Sequence, residues 1–264
     1  MIFSFLESEV EDAQTYYSED ERLLLDKNLI PYHVAIIPDG NRRWAKSHFT
    51  GVDEGHRQGA ETLITTVRAA KEMGIKVLTV YTFSTENWSR PQFEINAVMQ
   101  ILEQYLKGYQ QKLVKLSIRV STIGKNEHLP ASLLRVIEET KEMTKHCTEF
   151  DLVLALNYGG RDEICRAIRK IVNDSLEKKI HPQELTEELI SQYLDTSSFP
   201  DPDLLIRASG EKRISNFLLW QSSYTEIYTE EVVWPSFTPK HLFSAVLDFQ
   251  RRNRRFGGGK GASL

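Results

Sequence analysis

The residues best suited to chemistry in this chain of 264 residues follow a short apolar run at positions 34–37. In order, they are Asp39, Gly40, Asn41, Arg42, Arg43 and Trp44. A run that is apolar throughout is typical of a strand covered by helices on both faces, and open α/β sheets bind ligands where such strands end. A carboxylate among cations suits a metal ion held between that carboxylate and a polyphosphate. The alternative is a helix-capping aspartate followed by two solvated arginines.

Polar residues also follow three further β-rich runs, at positions 77–83, 152–156 and 204–206. After the first of these come Ser84, Thr85, Glu86, Asn87, Trp88 and Arg90. After the second come residues 157–161, and after the third come Arg207, Arg213, Ile214 and Ser215. Because parallel strands end at one edge of a sheet, we expect these side chains to meet at the edge that holds Asp39. The arginines predict a polar pocket for more than one phosphate group.

The elements that must position these residues alternate between strands and helices. Repeated βα units predict a single α/β domain, with an open, mostly parallel sheet of about six strands flanked by helices. Further strands are predicted at positions 116–122 and 231–234, and further helices at 133–143 and 239–254. The helix that follows Pro91 is apolar over more than one face, from Ile95 to Leu106. It is either a buried core helix or one wall of a hydrophobic tunnel.

Composition argues against several classes of protein. The 33 basic and 37 acidic residues give a net charge of −4, which argues against nucleic-acid binding. No apolar run reaches the roughly 20 residues of a membrane span, and the N-terminus has no signal-peptide features. Cys147 and Cys165 lack metal-site spacing and indicate a reducing compartment, so we expect a cytoplasmic protein.

Several familiar catalytic motifs are missing from the sequence. It contains no glycine-rich dinucleotide fingerprint, no Walker P-loop, no HExxH zinc motif and no GxSxG nucleophile elbow. The aspartate-rich motif DDxxD is missing as well. A metal-dependent reaction on diphosphates would therefore have to use isolated carboxylates.

Five sequence blocks together resemble one enzyme family. They read HVAIIPDGNRRWAK, GHRQGAETL, YTFSTENWSRP, LNYGGRDEI and DLLIRASGEKRISNFLLWQSSYTEIY. In this order they resemble the cis-prenyltransferases, and most of all the bacterial undecaprenyl diphosphate synthases, over residues 33–258. The resemblance implies Mg²⁺-dependent addition of isopentenyl diphosphate units to an allylic diphosphate, farnesyl diphosphate, to give the undecaprenyl lipid carrier of cell-wall synthesis. Residues 31–264 would be the catalytic domain, and residues 1–30 an N-terminal extension.

The resemblance also implies a role for each polar residue. Asp39 would position Mg²⁺, with Glu226 as the second metal carboxylate. The allylic diphosphate would be held by Gly40, Asn41, Arg42, Arg43 and His56. The clamp for isopentenyl diphosphate would consist of Arg207, Arg213, Ile214 and Ser215. The loop that covers the substrate would contain Trp44, Ser84, Thr85, Glu86, Trp88 and Arg90. Asn87 matches the proposed proton acceptor; the released diphosphate is the alternative, because an amide is a poor base.

Three residues depart from the family pattern. Arg42 replaces a glycine, which would be strained if φ were positive there. Val52 stands where the family has a diphosphate-binding arginine, and we expect Arg42 to replace that arginine in part. Lys212 replaces a histidine at a variable position. For two matched residues a structural role is the alternative: helix capping for His56, and an exposed helix position for Glu226.

Assembly and product length are implied in the same way. Residues 251–258 resemble a tail that reaches the active site across a homodimer interface; the alternative is a cluster of arginines that stabilises a helix C-terminus. Release of an apolar product implies transient peripheral contact with the inner face of the cytoplasmic membrane. Thr82 and Ala155 are expected to face the tunnel as small residues, and Phe150 is expected to form its floor.

Two other classes of protein stay open on the sequence alone. One is a non-catalytic subunit of a hetero-oligomeric cis-prenyltransferase, which would lose the Asp-Gly-Asn loop or the arginine clamp, whereas this chain keeps both. The other is a metal-dependent phosphohydrolase built on Asp39. Such an enzyme usually needs a second acidic residue close by, but Asp39 is flanked by Pro38 and Gly40.

Overall fold

A six-stranded sheet forms the centre of the protein in the computed structural model, which describes residues 15–254. The strands are β1 His33–Ile37, β2 Val77–Ser84, β3 Ile118–Ile123, β4 Phe150–Tyr158, β5 Leu204–Arg207 and β6 Glu226–Thr229. Their order across the sheet is β3-β4-β2-β1-β5-β6, and every pairing between neighbours is parallel. The predicted fold class, an open parallel sheet of about six strands, is confirmed.

Helices connect all the strands except β5 and β6, which are joined by the irregular segment 208–225. The helices are α1 Glu19–Leu23, α2 Asn41–Ser47, α3 Val52–Met73, α4 Gln92–Lys115, α5 Ala131–Thr144, α6 Gly160–Leu176, α7 Glu187–Tyr193 and α8 Pro239–Gln250. Buried residues form two hydrophobic clusters on the two faces of the sheet. Val34 and Ile36 of β1 belong to the larger cluster, and Ala35 and Ile37 to the other. The strand is therefore covered on both faces, which explains its uninterrupted apolar sequence.

The last strand differs from the prediction. It spans Glu226–Thr229, whereas the predicted strand at positions 231–234 is irregular and leads into a 3₁₀ turn at Trp234–Ser236. Pro235 has no N–H to donate to a neighbouring strand, which disfavours continued pairing. The segment is used differently: Trp234 donates its backbone N–H to the carbonyl of Asp39 at 2.8 Å, and Ser209 donates to Val232 at 2.9 Å.

The turn between β1 and α2 depends on Gly40. Its φ of 108° lies in a region that side chains other than glycine rarely adopt. A Cβ at this position would also lie 2.8 Å from Cβ of Val233. The chain therefore reverses immediately after Asp39, and the first turn of α2 begins at the edge of the sheet where β1 ends.

Two predictions concern the ends of the chain. Residues 1–14 of the predicted N-terminal extension and residues 255–258 of the predicted tail lie outside the described residues. Within residues 15–254, no helix combines the length and the apolar composition needed to cross a membrane.

Candidate active site

Asp39 lies where β1 ends, and two arginines face it. Its Oδ2 accepts a hydrogen bond from Nη2 of Arg207 at 2.7 Å, and its Oδ1 lies 3.5 Å from Nη2 of Arg43. Burial raises the pKa of Asp39, but the hydrogen bond and charge of Arg207, together with the charge of Arg43, outweigh it and lower the pKa overall. The carboxylate is thus ionised and has cations as its partners.

Arg207 is buried at the end of β5, next to β1 in the sheet. Its Nη1 donates to Oγ of Ser215 at 2.8 Å and also to the carbonyl of Arg213. Its Nε is buried and has no hydrogen-bond partner among the described residues. A buried guanidinium with one donor unused is well suited to an additional acceptor, such as a phosphate oxygen.

Arg43 extends the cationic surface on the side of α2. Its guanidinium donates to the carbonyl of Ser209 at 3.1 Å and to the Ser209 hydroxyl, and it lies 3.7 Å from Glu211. Ser209 has a φ of 78°, so the loop after β5 is held in an unusual conformation beside this arginine. The loop after β5 and the helix after β1 are therefore coupled through one side chain.

A second cluster surrounds Glu94, a carboxylate that is only 2% exposed. Arg42 donates to it from Nε at 3.0 Å and from Nη2, and Arg90 donates from Nη1 at 3.2 Å. Nε2 of His56 lies 3.2 Å from the same carboxylate, and Nδ1 of His56 lies 3.2 Å from Nδ2 of Asn41. Burial lowers the pKa of His56 more than the Glu94 carboxylate raises it, so the ring is neutral near pH 7.

The structure decides two points about this cluster that the sequence left open. Arg42 has an ordinary helical backbone in α2, and the positive φ belongs to Gly40, so replacing glycine at position 42 causes no strain. His56 lies in the second turn of α3 and does not cap that helix, whose N-cap is Gly51. Because Arg42 pairs with Glu94, the guanidinium of Arg42 lies at the start of α4. Arg90 pairs with the same carboxylate from one helical turn earlier in the chain.

The segment after β2 forms a 3₁₀ turn, Thr85–Ser89. The amide oxygen of Asn87 accepts the backbone N–H of Ser84 at 3.1 Å, which closes a capping box. Glu86 accepts a hydrogen bond from Nδ2 of Asn216 at 2.8 Å and one from the Thr85 hydroxyl at 3.1 Å. These bonds hold the turn against the loop after β5.

Two pockets adjoin in this region. The polar pocket, about 750 Å³, is lined by Asp39, Gly40, Asn41, Arg42, Arg43, His56, Ser84, Glu86, Asn87, Arg90, Arg207 and Ser215 among others. An apolar cavity of about 330 Å³ lies between α3, α4 and the sheet. Both are lined by Pro38, Asn41, His56, Thr82 and Val98, so the apolar cavity begins where the polar pocket ends.

Six predicted site residues do not line the polar pocket: Glu226, described below, and five others. Trp44 lies in α2 and stacks on His48 with ring centroids 4.0 Å apart, and Trp88 donates to Asn157 at 2.8 Å. The exposed side chain of Arg213 pairs with Glu211 at 2.6 Å. Ile214 packs against the smaller hydrophobic cluster, and Thr85 donates to Glu86.

Glu226 is placed away from Asp39, so the expected pair of metal carboxylates does not form within one chain. The sheet register pairs Glu226 with Leu204 and Leu204 with Val34, near the start of β1. Asp39 lies five residues further along, roughly 16 Å in an extended strand. Glu226 begins β6, not a surface helix, and its carboxylate pairs with Arg252 at 2.8 Å.

The expectations about the cavity lining are also partly wrong. Thr82 lines the cavity as expected. Ala155 belongs to the smaller hydrophobic cluster on the other face of the sheet, because side chains alternate along β4 and its neighbours Leu154 and Leu156 belong to the larger cluster. Phe150 is buried in the core and is not among the lining residues.

Sequence reasoning missed two residues that organise the pocket. Glu94 looked like an ordinary residue in the first turn of a helix, and only its spacing of four from Arg90 hinted at the ion pair. Asn216 joins three segments: it accepts from the backbone N–H of Gly160 and of Arg161, and it donates to Glu86. No pattern in the sequence indicated that role.

Comparisons with known proteins agree on one family. The model of the undecaprenyl diphosphate synthase family matches residues 37–257. An isoprenyl transferase from Bacillus anthracis is 47% identical over 232 residues, which are 88% of this chain and 90% of that protein. Among solved structures, lavandulyl diphosphate synthase from Lavandula x intermedia, in complex with dimethylallyl diphosphate, superposes with a TM-score of 0.85 at 36% identity. That match covers 87% of this chain and 99% of the other. A structure described as a probable undecaprenyl diphosphate synthase from Campylobacter jejuni gives a TM-score of 0.72 at 36% identity, over 86% and 98% of the two chains.

Proposed function

The chain belongs to the undecaprenyl diphosphate synthase family and is a prenyltransferase, and on that basis we propose that it adds isopentenyl diphosphate units to an allylic diphosphate. One observation supports this proposal most strongly. The cationic pocket around Asp39 and Arg207 adjoins an apolar cavity, and five residues line both. A substrate with a diphosphate head and a hydrocarbon tail requires these two surfaces side by side.

We assign the two diphosphates to the two halves of the polar pocket. The allylic diphosphate would bind at the start of α2, beside the Glu94 cluster. The residues that would bind it are Gly40, Asn41, Arg42, Arg43 and His56. Free backbone N–H groups at a helix N-terminus and flexible guanidinium groups both favour such an anion. The isopentenyl diphosphate would bind at Arg207 and Ser215. The unused Nε of Arg207 supports this assignment, while Arg213 would have to leave Glu211 to take part.

The proposed reaction breaks the bond between the allylic carbon and its diphosphate oxygen, and the bonding electron pair leaves with the diphosphate. The double bond of isopentenyl diphosphate supplies the electrons for the new carbon–carbon bond, and one proton is then lost. Arg42 and Arg43 would stabilise the growing negative charge on the leaving diphosphate. The amide oxygen of Asn87 already accepts the N–H of Ser84. This favours an orienting role for Asn87 and the released diphosphate as proton acceptor.

Asp39 is the residue that we propose to hold Mg²⁺. No group of three or more potential metal-ligating residues occurs within residues 15–254. A single carboxylate nevertheless fits Mg²⁺, which in phosphate sites keeps several waters and uses one or two carboxylates together with phosphate oxygens. Bound there, the ion would neutralise charge on the leaving diphosphate. The lowered pKa of Asp39 keeps the carboxylate ionised and ready to exchange its arginine partners for the ion.

The finer assignments extend this proposal. We propose farnesyl diphosphate as the starter, undecaprenyl diphosphate as the product, and residues 31–264 as the catalytic domain. The hydrocarbon tail would grow into the apolar cavity along α4. We further propose a cytoplasmic homodimer that contacts the membrane surface peripherally when the apolar product leaves.

A single incubation tests the proposal. Purified protein receives Mg²⁺, farnesyl diphosphate and radiolabelled isopentenyl diphosphate, and the products are extracted, dephosphorylated and separated by chromatography. The proposal predicts a chain-extended lipid of eleven isoprene units. Release of inorganic phosphate without extension would indicate a phosphohydrolase, and no turnover would indicate a non-catalytic subunit. A product of three or four units would refute the proposed product length while leaving prenyl transfer in place.

A further inference from the structure

The polar residues at the end of β4 have no task in the proposed reaction, although the sequence predicts that residues 157–161 share the edge of the sheet with Asp39. One of them, Asn157, is the penultimate residue of β4 and is only 2% exposed. It lines neither the polar pocket nor the apolar cavity. Its backbone and its side chain are nevertheless both held in ways that a regular strand does not require.

Asn157 is the bulged residue in an irregular pairing of β2 with β4. Phe83 pairs with Leu156, and the next residue of β2, Ser84, pairs with Tyr158, so no residue of β2 is paired with Asn157. The φ of Asn157 is 47°, in the left-handed region that asparagine adopts more readily than most residues. Bulges of this kind redirect a side chain and are frequent beside active sites.

The redirected side chain of Asn157 joins two other segments of the chain. Its Oδ1 accepts the indole N–H of Trp88 at 2.8 Å, and its Nδ2 donates to the backbone carbonyl of Glu127 at 2.8 Å. An indole nitrogen can only donate a hydrogen bond, and a carbonyl oxygen can only accept one. An amide satisfies both partners, whereas an ionised carboxylate of the same size could satisfy only the indole.

Trp88 anchors the side of the 3₁₀ turn Thr85–Ser89 that faces the core, and we call this turn the covering turn. The Trp88 ring packs edge-on against Phe83 and His128, with ring centroids 5.0 Å and 6.0 Å apart. Successive residues of a 3₁₀ helix point in directions about 120° apart. A Trp88 ring directed into the core therefore leaves the preceding residue, Asn87, free to line the polar pocket.

The covering turn also determines the position of Arg90, which follows it directly. Arg90 donates its backbone N–H to the carbonyl of Asn87 at 3.0 Å, and its guanidinium donates to Glu94 at 3.2 Å. Both Asn87 and Arg90 line the polar pocket. The placement of these two pocket residues therefore depends on how firmly Trp88 is held.

We propose that Asn157 is a positioning residue for prenyl transfer, which acts through Trp88 on the covering turn. This inference rests on the proposed function, and Asn157 itself touches neither substrate nor metal. It keeps the amide of Asn87 where that amide orients isopentenyl diphosphate towards the allylic carbon. Because alignment of the reacting groups matters most in the transition state, loosening the turn lowers kcat more than it raises either KM.

Two substitutions remove the same hydrogen bond from its two ends. Trp88→Phe deletes the indole N–H but keeps an aromatic ring against Phe83, and Asn157→Gly deletes the amide while glycine adopts a positive φ without strain. Each should lower kcat by about tenfold or more, with both KM values within about threefold of the wild type. Because the two residues act through one contact, the double variant should be no slower than the slower single variant.

Trp220→Phe is the matched control for the loss of an indole donor. The indole N–H of Trp220 donates to the hydroxyl of Ser191 at 3.0 Å, and Trp220 does not line the polar pocket. Its kcat should stay within about twofold of the wild type, and unfolding in urea defines conditions under which every variant is folded. An equal loss of kcat in Trp220→Phe, a raised KM with unchanged kcat in Asn157→Gly, or additive losses in the double variant would overturn the inference.

Hydrogen exchange of the indole N–H groups tests the contact without any need for turnover. In ¹⁵N-labelled protein, the indole N–H of Trp88 should exchange about tenfold faster or more in Asn157→Gly than in the wild type. Trp234 is the internal reference, because its indole N–H donates to the carbonyl of Gly59 at 2.8 Å and should exchange equally in both proteins. An unchanged exchange rate at Trp88 would show that Asn157 does not hold the covering turn.

The two readouts together separate the inference from the function on which it rests. Faster exchange at Trp88 together with an undiminished kcat in Asn157→Gly would overturn the positioning role alone. A wild type without prenyl transfer would refute the proposed function, and the exchange rate of Trp88 would still decide whether Asn157 holds the covering turn.

Discussion

Arg207 Nη2 lies 2.7 Å from Oδ2 of Asp39, and this contact joins the ends of two neighbouring strands, β5 and β1. The two residues are 168 positions apart in the chain, yet the parallel register places Arg207 level with Ile37, two residues before Asp39. The pair places a carboxylate and a guanidinium next to each other at the edge of the sheet. In the proposed reaction the two residues separate. Asp39 then binds a metal ion, and Arg207 binds a diphosphate.

The first prediction concerns the clamp. Arg207→Ala removes the buried guanidinium that we assign to isopentenyl diphosphate, and a hydrogen bond to a charged group contributes about 1.5–3 kcal/mol. The KM for isopentenyl diphosphate should therefore rise about 10- to 100-fold, with a much smaller change in the KM for the allylic substrate. Arg213→Ala should act in the same direction but more weakly. Arg43→Ala is the matched control and should affect mainly the allylic substrate. Equal effects of Arg207→Ala on both KM values would show that the clamp was assigned to the wrong diphosphate.

The second prediction concerns Glu94, which holds two arginines and a histidine together. Glu94→Gln keeps the size of the side chain but leaves Arg42 and Arg90 to repel each other without a compensating charge. Since both arginines are partly exposed, the free energy of unfolding should fall by about 1–3 kcal/mol. The KM for the allylic diphosphate should rise, and the KM for isopentenyl diphosphate should stay close to the wild-type value. Urea unfolding and steady-state kinetics measure the two effects. An unchanged allylic KM would refute the positioning role.

A third prediction follows from His33, which begins β1 and is buried. Its ring bonds to the carbonyl of Pro200 and to the hydroxyl of Thr79, and burial lowers its pKa to about 4, although the nearby Asp203 carboxylate raises it. The unfolded chain takes up a proton near pH 6.5, whereas the folded ring does so only near pH 4. The contribution of His33 to the free energy of unfolding is therefore complete above pH 6.5, and it is lost as the pH falls from 6.5 to 4. The loss should approach about 3 kcal/mol.

Two measurements check the role of His33. The ring resonances in an NMR titration should stay those of a neutral imidazole down to about pH 4. In His33→Leu, the free energy of unfolding should change less between pH 6.5 and pH 4 than in the wild type, although the variant is less stable at neutral pH. A ring that titrates near pH 6.5 in the folded protein would contradict the prediction.

The fourth prediction concerns the apolar cavity. Ala60 lies on α3 and lines the cavity close to the polar pocket. Ala60→Phe narrows the path of the growing tail and should shorten the product, with little change in the rate of the first condensation. Thr65→Phe, on the same helix but outside the lining, controls for the added aromatic ring. Phe150→Ala should leave the product length unchanged, because Phe150 does not line the cavity. If Thr65→Phe shortened the product as much as Ala60→Phe, the cavity would not be the path of the tail.

Much of the fold followed from local sequence patterns. Residues 34–37 are apolar on both faces, which predicted a covered strand, and the polar residues at four strand ends predicted one shared edge. The strand expected at positions 231–234 was wrong because an apolar Val-Val-Trp sequence favours a strand locally. In the folded chain, that segment accepts a hydrogen bond from Ser209 in the loop after β5 and donates one to the carbonyl of Asp39. No local pattern encodes these contacts.

The arrangement of the pocket was harder to predict than its composition. Which arginine pairs with which carboxylate depends on sheet register and helix packing, so Arg42 was expected to contact substrate without its partner Glu94 being noticed. Ala155 and Phe150 were assigned to the tunnel from residue size alone, whereas strand alternation and core packing decide where each side chain points. Glu226 was matched to a metal role by its sequence block, but it lies near the start of β6, away from Asp39.

Turnover of Asp39→Ala tests the central claim most directly. The substitution removes the carboxylate proposed to hold Mg²⁺ but leaves Arg207 and the sheet in place. At saturating Mg²⁺, chain extension should fall below a tenth of the wild-type rate, while the circular dichroism spectrum and the affinity for isopentenyl diphosphate stay largely unchanged. If the variant retained more than a tenth of wild-type turnover under these conditions, Asp39 would not be the metal ligand and the proposed mechanism would be contradicted.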